Sequence, residues 1–398
     1  MLEKLTLARF KSIYHAEIPL GPLNVLIGEN GTGKSNLLDF LSLMKSAAQG
    51  KLGQSINTMG GLGNVVHYAA SERSFGWSAE FRDVGKEARL FYSGEVAQRG
   101  STGGYVVDSE ELERPPYPNQ KQNFKFLSAE RGRVRIMKPR TSGAKGGDPS
   151  DQQEREMDYE ETDQELVISQ IRDRHSYPSL YETSRLMADW GIYRGFGSDA
   201  LKNMRDSQLF NTSEPLRLNP DGSNLVSILQ QLGNEPRYRP IKLRLYEVME
   251  AVFPDFSELN TPITAGGRGA LTYGSRYFDN VGIPAISMSD GQLRFLGLVV
   301  LLLLPDPPAL IAIDEPEIGL HPDMLSILVE LLREAAEKTQ ILITTHSPRL
   351  VDSMKPSEVI VVERPDGKTT FEQLSEEALD PWIERYSLGR LWTMGRFG

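Results

Sequence analysis

Apolar residues recur along this chain with two different periods, and the period changes from segment to segment. Residues 2–10 alternate like a β-strand, and residues 23–28 form a short apolar run that ends in glycine. Residues 35–50 carry apolar side chains at helical spacing and stop at Gly50. The start of the chain therefore predicts a strand, a glycine-rich turn and a helix in succession.

The middle of the chain predicts short strands first and helices afterwards. A meander of short strands is predicted at 64–70, 75–83, 87–94 and 104–108. Helical patterns dominate from 164 to about 255, with clear examples at 223–232 and 242–253, and strands return over 271–287.

The last third alternates between the two periods. Helices are predicted at 290–304, 322–338 and 347–354, and strands at 309–314, 340–345 and 358–363. This alternation favours an α/β architecture with a parallel sheet. Neither an internal repeat nor a sustained heptad pattern occurs, so no long coiled coil is expected.

Composition places few limits on the function. The chain has 398 residues, 39% of them hydrophobic and 25% charged, which is ordinary for a soluble protein with two or three compact units. It has no cysteine, which excludes disulfides, thiolate metal sites and cysteine nucleophiles. The longest apolar run, 298–305, is too short to span a bilayer, and the N-terminus lacks signal-peptide features. We therefore expect a cytoplasmic protein with no membrane partner.

Charge is unevenly distributed around a net value of −10, which argues against a broadly basic nucleic-acid binder. Residues 141–165 hold nine acidic and two basic residues, whereas 121–140 holds seven Lys or Arg and one Glu. One interpretation is a solvated strand pair followed by a flexible acidic loop. The alternative is a basic contact for nucleic acid or a partner, screened by an acidic flap.

The clearest motif is GENGTGKS at residues 28–35, which fits G-x-x-x-x-G-K-[ST] at every fixed position. Glycines let successive backbone N–H groups turn inward around phosphates, and the following helix adds its positive dipole end. Lys34 should reach the β- and γ-phosphates, and the Ser35 hydroxyl should bind Mg²⁺. We assign the nucleotide contacts to Asn30, Gly31, Thr32, Gly33, Lys34, Ser35 and Asn36.

Two carboxylates follow a second apolar strand, in the segment ALIAIDEPEIGLHP at 309–322. Asp314 would orient the metal ion and its water, and Glu315 would act as general base for the water that attacks the γ-phosphate. Alone, two acids could simply end a strand; beside a phosphate loop they predict a catalytic site.

Two further segments complete the candidate site. His346 ends the next apolar strand, where it could sense or stabilise the γ-phosphate, although a lone histidine there is usually a satisfied surface residue. The turn SDGQ at 289–292 precedes an apolar helix, so the Ser289 hydroxyl and the Gly291 amide could stabilise an anion. The plainer interpretation of this turn is a cap on a buried helix.

Taken in order, GENGTGKS, SDGQLR, IDEPEIGLHP and TTHSP resemble the ABC-class ATPases of the RecF/SMC/OLD type, and most of all their stand-alone bacterial and phage members. The resemblance is specific over about 1–40 and 285–365. The segment LARFKSI at 7–13 also resembles the family's first strand, where a Lys or Arg lies near the nucleotide. Residues 214–232 look like the family's lid, less specifically.

The resemblance implies an ABC-type ATPase head: an α/β fold with a mixed or parallel sheet core, an antiparallel β subdomain and a mainly helical lid. It implies ATP and Mg²⁺ as cofactors, with ATP held between the Lys34 site of one subunit and Ser289, Gly291 and Gln292 of a second copy. The family's Q-loop glutamine has only weak candidates, in Gln164 and Gln170.

Four segments are expected: an N-terminal lobe over 1–135, an acidic flexible loop over 136–165, a helical lid over 166–260 and a C-terminal lobe over 261–398. Only 254 residues separate Lys34 from Ser289, without the heptads of SMC proteins, and 52 residues follow His346, too few for the nuclease domain of OLD proteins. The chain is therefore expected to be the ATPase component alone, acting on a separate effector.

Three functions remain open from the sequence. The first is an ATP-gated dimer that regulates an effector, a nuclease or a toxin, in bacterial antiviral defence. The second is a RecF-like repair ATPase that binds DNA, supported by 121–140 and opposed by the acidic net charge. The third is a nucleotide-binding scaffold without hydrolysis, which the presence of Glu315, Asp314 and His346 disfavours.

Overall fold

The computed structural model of the chain describes residues 1–85, 87–100, 104–116, 122–137, 154–158, 163–210, 216–264, 266–278, 282–377, 379 and 385–397. The chain folds into two units, each assembled from separate stretches of sequence. The first unit takes Met1–Gly21, Gly28–Trp190 and Ile360–Gln373, and the second takes Pro22–Ile27, Gly191–Val359 and Leu374–Gly398. The four consecutive segments expected from the sequence stay a prediction.

The strands are numbered in chain order. They are β1 Leu2–Phe10, β2 Ile13–Pro19, β3 Leu23–Ile27, β4 Ser74–Val84, β5 Glu87–Arg99, β6 Gly104–Arg114, β7 Phe124–Glu130, β8 Arg133–Met137, β9 Glu154–Asp158, β10 Gly191–Tyr193, β11 Gln208–Leu209, β12 Phe256–Asn260, β13 Ile263–Thr264, β14 Arg268–Gly269, β15 Thr272–Ser275, β16 Gly282–Pro284, β17 Leu310–Asp314, β18 Gln340–Thr344, β19 Val359–Glu363 and β20 Thr370–Gln373.

The helices are numbered in the same way. The α-helices are α1 Lys34–Ala48, α2 Leu52–Thr58, α3 Leu62–Val65, α4 Pro178–Ala188, α5 Ser198–Arg205, α6 Leu225–Asn234, α7 Arg239–Val252, α8 Asp290–Leu303, α9 Met324–Ala336, α10 Pro348–Asp352 and α11 Leu388–Thr393. Short 3₁₀ turns lie at Val167–Gln170, Pro236–Tyr238, Ala285–Ser287, Pro356–Glu358 and Pro365–Gly367. Among the described residues, none of the helices combines the length and the apolar character needed to cross a bilayer.

The first unit is built on an antiparallel sheet with the order β2-β1-β4-β5-β6-β7-β8-β9. Strand β4 illustrates why this sheet forms, because its alternate side chains Phe75, Trp77 and Phe81 are apolar and buried on one face. Helix α1 packs on this face through Phe40, whose ring lies 5.3 Å from Phe10 and 6.4 Å from Trp77. This packing anchors the helix that follows the glycine-rich loop.

The second unit contains four parallel strands in the order β10-β17-β18-β3. Strand β18 is buried along its whole length and β17 is buried up to Asp314, as expected for a parallel sheet covered on both faces. The register places Asp314 beside Thr344 and Thr344 beside Leu26. The carboxyl ends of three strands therefore meet at one edge, and β3 continues there directly into the glycine-rich loop.

The helix–strand alternation predicted for the last third is confirmed, with each element within a few residues of its expected bounds. The strand predicted at 64–70 is wrong: α3 occupies Leu62–Val65, and only Val66 forms an isolated bridge, to Phe10. A run of glycines around Leu62 favours a tight turn and a short helix over a strand.

Part of the segment predicted as a flexible acidic loop is a strand, β9, which pairs with β8 along five residues. The free edge of β8 supplies the backbone hydrogen bonds, which do not depend on side-chain polarity. Two further parts of that segment, 138–153 and 159–162, lie outside the described residues. Strand β10 was missed within the predicted helical region because three residues carry no readable period.

Candidate functional site

The phosphate loop of the first unit depends on backbone conformations that glycine alone adopts easily. Gly28, Gly31 and Gly33 have φ angles of 149°, 80° and 110°. A Cβ on Gly33 would lie 2.4 Å from the Thr369 Oγ1 atom, and one on Gly28 would lie 2.2 Å from the Val362 carbonyl oxygen. Glycine is thus required at positions 28 and 33 for two reasons: the backbone angle and the lack of space for a Cβ atom.

Hydroxyl groups from distant segments support the loop. Thr369 Oγ1 donates to the Thr32 carbonyl at 2.6 Å and lies 2.6 Å from Ser12 Oγ, which accepts from Asn36 Nδ2 at 2.6 Å. Within the loop, Thr32 Oγ1 donates to the Glu29 carbonyl at 2.9 Å. This network ties the loop to segments that are remote from it in sequence.

Lys34 begins α1 and is almost entirely buried, with 5% of its surface exposed. Its ammonium group donates to the carbonyls of Gly28 at 2.8 Å and Glu29 at 2.9 Å. The ammonium group of Lys34 is therefore bound by backbone carbonyls of the loop. By contrast, Asn30 and Ser35 are exposed, so their polar groups face solvent where a ligand could meet them.

The basic residues of the segment LARFKSI at 7–13 are engaged inside the first unit. Arg9 bonds to Ser74 and forms an ion pair with Glu95 at 2.7 Å, and Lys11 pairs with Asp39 of α1. A different cation contacts the loop: Arg364 Nη1 donates to the Gly31 carbonyl at 3.2 Å. Arg364 lies far along the chain and carries no motif, so sequence reasoning did not find it.

In the second unit, Asp314 and Glu315 sit where β17 ends, as predicted. The Thr344 hydroxyl donates to Asp314 Oδ1 at 2.6 Å and accepts from the Glu315 backbone N–H at 3.0 Å. One buried side chain at the end of β18 thus fixes both acids at the end of β17. Thr344 was not predicted; its only sequence signal is its position just before Thr345 and His346.

Glu315 adopts a left-handed backbone conformation, with φ of 47°. Such a conformation is uncommon outside glycine and costs on the order of 1–3 kcal/mol, so it persists only where the surroundings impose it. Here the Glu315 N–H is bonded to the Thr344 hydroxyl and also to the Thr344 carbonyl, at 3.2 Å. The turn directs the Glu315 carboxylate to within 3.6 Å of His346 Nε2.

A third acid in the same loop was missed by sequence reasoning. Glu317 Oε1 accepts from the Thr345 hydroxyl at 2.5 Å and from the His346 backbone N–H at 2.9 Å. Burial raises the pKa of Glu317, and Glu317 Oε2 is buried without a hydrogen-bond partner among the described residues. The structure therefore brings Asp314, Glu315 and His346 together at one edge, with Thr344 and Glu317 beside them. The roles assigned to the three predicted residues stay predictions.

The turn at 289–292 caps helix α8. Ser289 Oγ accepts from the Gln292 N–H at 3.2 Å, and Gln292 Oε1 accepts from the Ser289 N–H at 2.9 Å, which forms a capping box. Ser289 is exposed. The capping interpretation is therefore part of the local structure, and it leaves the exposed helix start accessible to an anion.

Two contacts fix the position of this turn inside the second unit. Asp290 pairs with Arg205 of α5 at 2.5 Å, and this hydrogen bond lowers the Asp290 pKa. Gly291 packs so closely that a Cβ there would lie 2.7 Å from the Gly319 carbonyl oxygen. The start of α8 thus contacts the loop that follows Glu315.

A cavity of about 240 Å³ beside this loop is lined by Arg194, Phe196, Arg294, Asp314 and Glu315.

Within the described part of the basic stretch, strand β8 has one exposed face. Arg133 and Arg135 are exposed on β8, while Val134 and Ile136 between them are buried. The β8–β9 register sets Arg133 opposite Asp158 and Arg135 opposite Glu156. Both interpretations of the stretch, a solvated strand pair and a basic contact for nucleic acid or a partner, stay predictions. The Q-loop candidates Gln164 and Gln170 stay predictions.

Comparison with solved structures shows the fold. A structure of an SMC head bound to the C-terminal winged-helix domain of ScpA aligns with a TM-score of 0.58 and 16% identity, over 94% of this chain and 98% of that chain. An SMC head with an extended coiled coil, bound to the C-terminal domain of ScpA and derived from Pyrococcus furiosus, aligns with a TM-score of 0.56 and 14% identity, over 96% and 98%. The prediction of an ABC-type ATPase head with an α/β fold is confirmed.

Sequence comparison places the chain within this class. It is an ABC-class P-loop ATPase of the RecF/SMC type. A family model described as "AAA domain, putative AbiEii toxin, Type IV TA system" matches residues 23–352, so the chain belongs to that family. A segment of 75 residues, 18% of this chain, is 35% identical to the DNA double-strand break repair Rad50 ATPase of Saccharolobus solfataricus, and it spans only 9% of that relative.

Proposed function

We propose that this protein binds and hydrolyses ATP with Mg²⁺, and that it works as an ATP-gated homodimer that regulates a separate effector. The observation that carries the proposal is the pairing of Glu315 with His346, 3.6 Å apart, at an edge where Thr344 also holds Asp314. A strained acid next to a histidine, at the end of a buried strand, is the arrangement expected of a general base and a phosphate sensor.

Each predicted residue takes a defined role in this proposal. The N–H groups of the loop from Asn30 to Asn36 and the Lys34 ammonium bind the phosphates. Glu315 takes the proton of the attacking water, and His346 stabilises the γ-phosphate as negative charge develops on it. Thr344, which the sequence did not predict, holds Asp314 and Glu315 in place while the proton is transferred and the γ-phosphate is stabilised.

The donor set suits Mg²⁺, which prefers hard oxygen ligands and retains several waters. The exposed Ser35 hydroxyl and the Asp314 carboxylate are oxygen donors of this kind, and the hydrogen bond from Thr344 occupies only Asp314 Oδ1. Bound there, Mg²⁺ would neutralise charge on the phosphates.

The dimer follows from the exposed turn at the start of α8. Ser289, Gly291 and Gln292 would contact the ATP held by a second copy, because a helix start presents N–H groups and positive dipole charge to an anion. In this proposal the effector is a nuclease or a toxin of a bacterial antiviral defence system in the cytoplasm. The family description, which names a toxin and a type IV toxin–antitoxin system, supports the toxin.

The decisive experiment uses Glu315→Gln, which keeps the shape of the side chain and removes the base. Phosphate release should fall by about 10²- to 10⁴-fold while ATP binding is kept, so the closed dimer accumulates on a sizing column with MgATP. Lys34→Ala, the matched control, should lose both ATP binding and dimerisation. A Glu315→Gln protein that binds ATP and stays monomeric would rule out the gated dimer.

A second candidate function is DNA binding in repair, and the local identity to a Rad50 ATPase favours it. The exposed arginines of β8 are the candidate contacts. DNA affinity that falls steeply with salt, and that falls further on charge reversal of Arg131, Arg133 and Arg135, would support it. The absence of measurable DNA affinity at low salt would contradict it.

A further inference from the structure

We infer that Glu317 is a positioning residue for hydrolysis: its carboxylate fixes the His346 backbone opposite the Glu315 carboxylate. The inference rests on the proposed function, since it concerns the same reaction. Glu317 does not need to contact the nucleotide or to exchange a proton. It acts through the backbone segment that carries His346.

The hydrogen bonds form a directed chain around the histidine. The Ser347 N–H donates to Thr345 Oγ1 at 3.0 Å, and Thr345 Oγ1 donates in turn to Glu317 Oε1 at 2.5 Å. The same Glu317 oxygen accepts from the His346 N–H at 2.9 Å. Residues 345, 346 and 347 are therefore all tied, directly or through one hydroxyl, to one carboxylate oxygen.

The geometry makes that oxygen a link between the two reacting groups. Glu317 lies two residues after Glu315 in the turn that ends β17, and the His346 segment follows β18. Backbone bonds brace this turn, from the Ile318 N–H to the Glu315 carbonyl at 3.2 Å and from the Leu320 N–H to the Glu317 carbonyl at 3.0 Å. A rigid turn that holds both Glu315 and the partner of His346 fixes the spacing of the pair.

Burial of the Glu317 carboxylate costs folding free energy, and a merely structural role does not require that cost. Thr345 is fully buried, and Glu317 Oε2 is a buried oxygen without a hydrogen-bond partner among the described residues. A buried carboxylate with one unsatisfied oxygen is destabilising relative to an apolar side chain of similar size. Its presence beside the Glu315–His346 pair is explained if one oxygen is needed to place the histidine.

The test separates positioning from stability with two substitutions at one site. Glu317→Gln keeps an oxygen acceptor for Thr345 and His346, whereas Glu317→Ala removes it. Glu317→Ala should lower kcat for phosphate release by about 10- to 100-fold per folded molecule, because small displacements of a catalytic group are costly. Its Kd for MgATP should stay within about twofold of wild type, and Glu317→Gln should restore kcat to within about threefold of wild type.

Thr345→Val gives an independent measure, since it removes one donor to Glu317 and leaves the volume almost unchanged. It should lower kcat by less than Glu317→Ala, and the double variant should be no slower than Glu317→Ala, because both act through one chain of hydrogen bonds. The backbone amide resonance of His346, assigned by comparison with His346→Gln, should move in Glu317→Ala and stay in Glu317→Gln.

The outcomes distinguish this inference from the proposed function. If wild type and Lys34→Ala release phosphate equally slowly, the proposed function fails and with it the inference. If wild type hydrolyses ATP, and folded Glu317→Ala does so at the wild-type rate or loses only ATP affinity, the positioning role alone is overturned. A lowered Tm with unchanged kcat would likewise assign Glu317 to stability.

Discussion

The two candidate regions, one in each unit, are built by different physical means. The phosphate loop of the first unit is shaped by its backbone: glycines at positive φ, two of them in van der Waals confinement. The carboxyl edge of the second unit is shaped by side chains, since Thr344 and Glu317 hold Asp314, Glu315 and His346 through hydrogen bonds. The loop thus depends mainly on its backbone angles and on the space that its glycines leave, whereas the carboxyl edge depends on polar side-chain atoms.

This difference teaches which substitutions each region should tolerate. In the loop, a side chain added to a glycine either clashes with neighbouring atoms or requires an unfavourable backbone angle. Such substitutions should therefore weaken nucleotide binding through steric effects. At the carboxyl edge, an isosteric change that deletes one polar atom should change the orientation of the proposed catalytic groups and leave packing intact.

The largest effect is expected where steric confinement and backbone angle coincide. Gly33→Ala should weaken ATP binding by more than 100-fold, about 3 kcal/mol, because its Cβ would meet Thr369 and Ser12 hydroxyls at 2.4 and 2.7 Å. Gly31→Ala is the matched control, since its Cβ would meet no atom within 4 Å and only its φ of 80° is unfavourable. It should cost about 1–2 kcal/mol, roughly tenfold in Kd. Equal losses, measured by titration calorimetry, would refute the steric account.

A buried carboxylate of the first unit sharpens the comparison, because it resembles Glu317 but lies outside the motifs. Glu110 is fully buried and accepts from Val167 N–H at 2.6 Å, Ile168 N–H at 3.0 Å and the Tyr92 hydroxyl at 2.9 Å. Burial raises the pKa of Glu110 to about 7. It is expected to affect stability and not the rate of hydrolysis.

The sign of its pH effect follows from linkage. Because the folded state binds the proton more tightly, stability from Glu110 is fully present below the unfolded pKa of 4.5 and is lost as pH rises through about 7. The free energy of unfolding should therefore fall by on the order of 2 kcal/mol over this range. Glu110→Gln should remove this slope in urea titrations at pH 5 and pH 8; an identical slope in both proteins would contradict the assignment.

The smallest effect is expected at Thr344. Thr344→Val removes the hydroxyl that serves Asp314 and Glu315 while keeping the shape of the side chain, and the Glu315 N–H retains its bond to the Thr344 carbonyl. We expect kcat to fall about tenfold, about 1.4 kcal/mol, with little change in Kd for MgATP. Thr344→Ser keeps the hydroxyl and is the control. A loss of ATP affinity in place of rate would mean that the hydroxyl supports binding.

Much of the fold was predictable where burial and period agree. Strands β17 and β18 were found because strands covered on both faces appear as continuous apolar runs between helices. Strand β10 was missed because it is three residues long, and β9 because backbone pairing with an existing edge needs no apolar pattern.

The candidate site divides in the same way. Asp314, Glu315 and His346 were predicted from their positions at strand ends, and the structure brings them together at one edge of the second unit. The groups that hold the loop and the acids were not predicted. Ser12, Thr369 and Arg364 lie far from the phosphate loop in sequence, and their contacts depend on a fold that no local pattern encodes.

By itself the sequence determined which chemical groups the candidate site contains: a glycine-rich turn between strand and helix, and acids and a histidine after buried strands. These signals are local, because backbone angle and hydrophobic period are properties of neighbouring residues. Only the tertiary structure decided how those groups are held, through Thr344, Glu317 and the hydroxyls behind the loop. Hydrogen bonds between segments depend on distances of a few tenths of an ångström, and such distances are set by packing between elements remote in sequence.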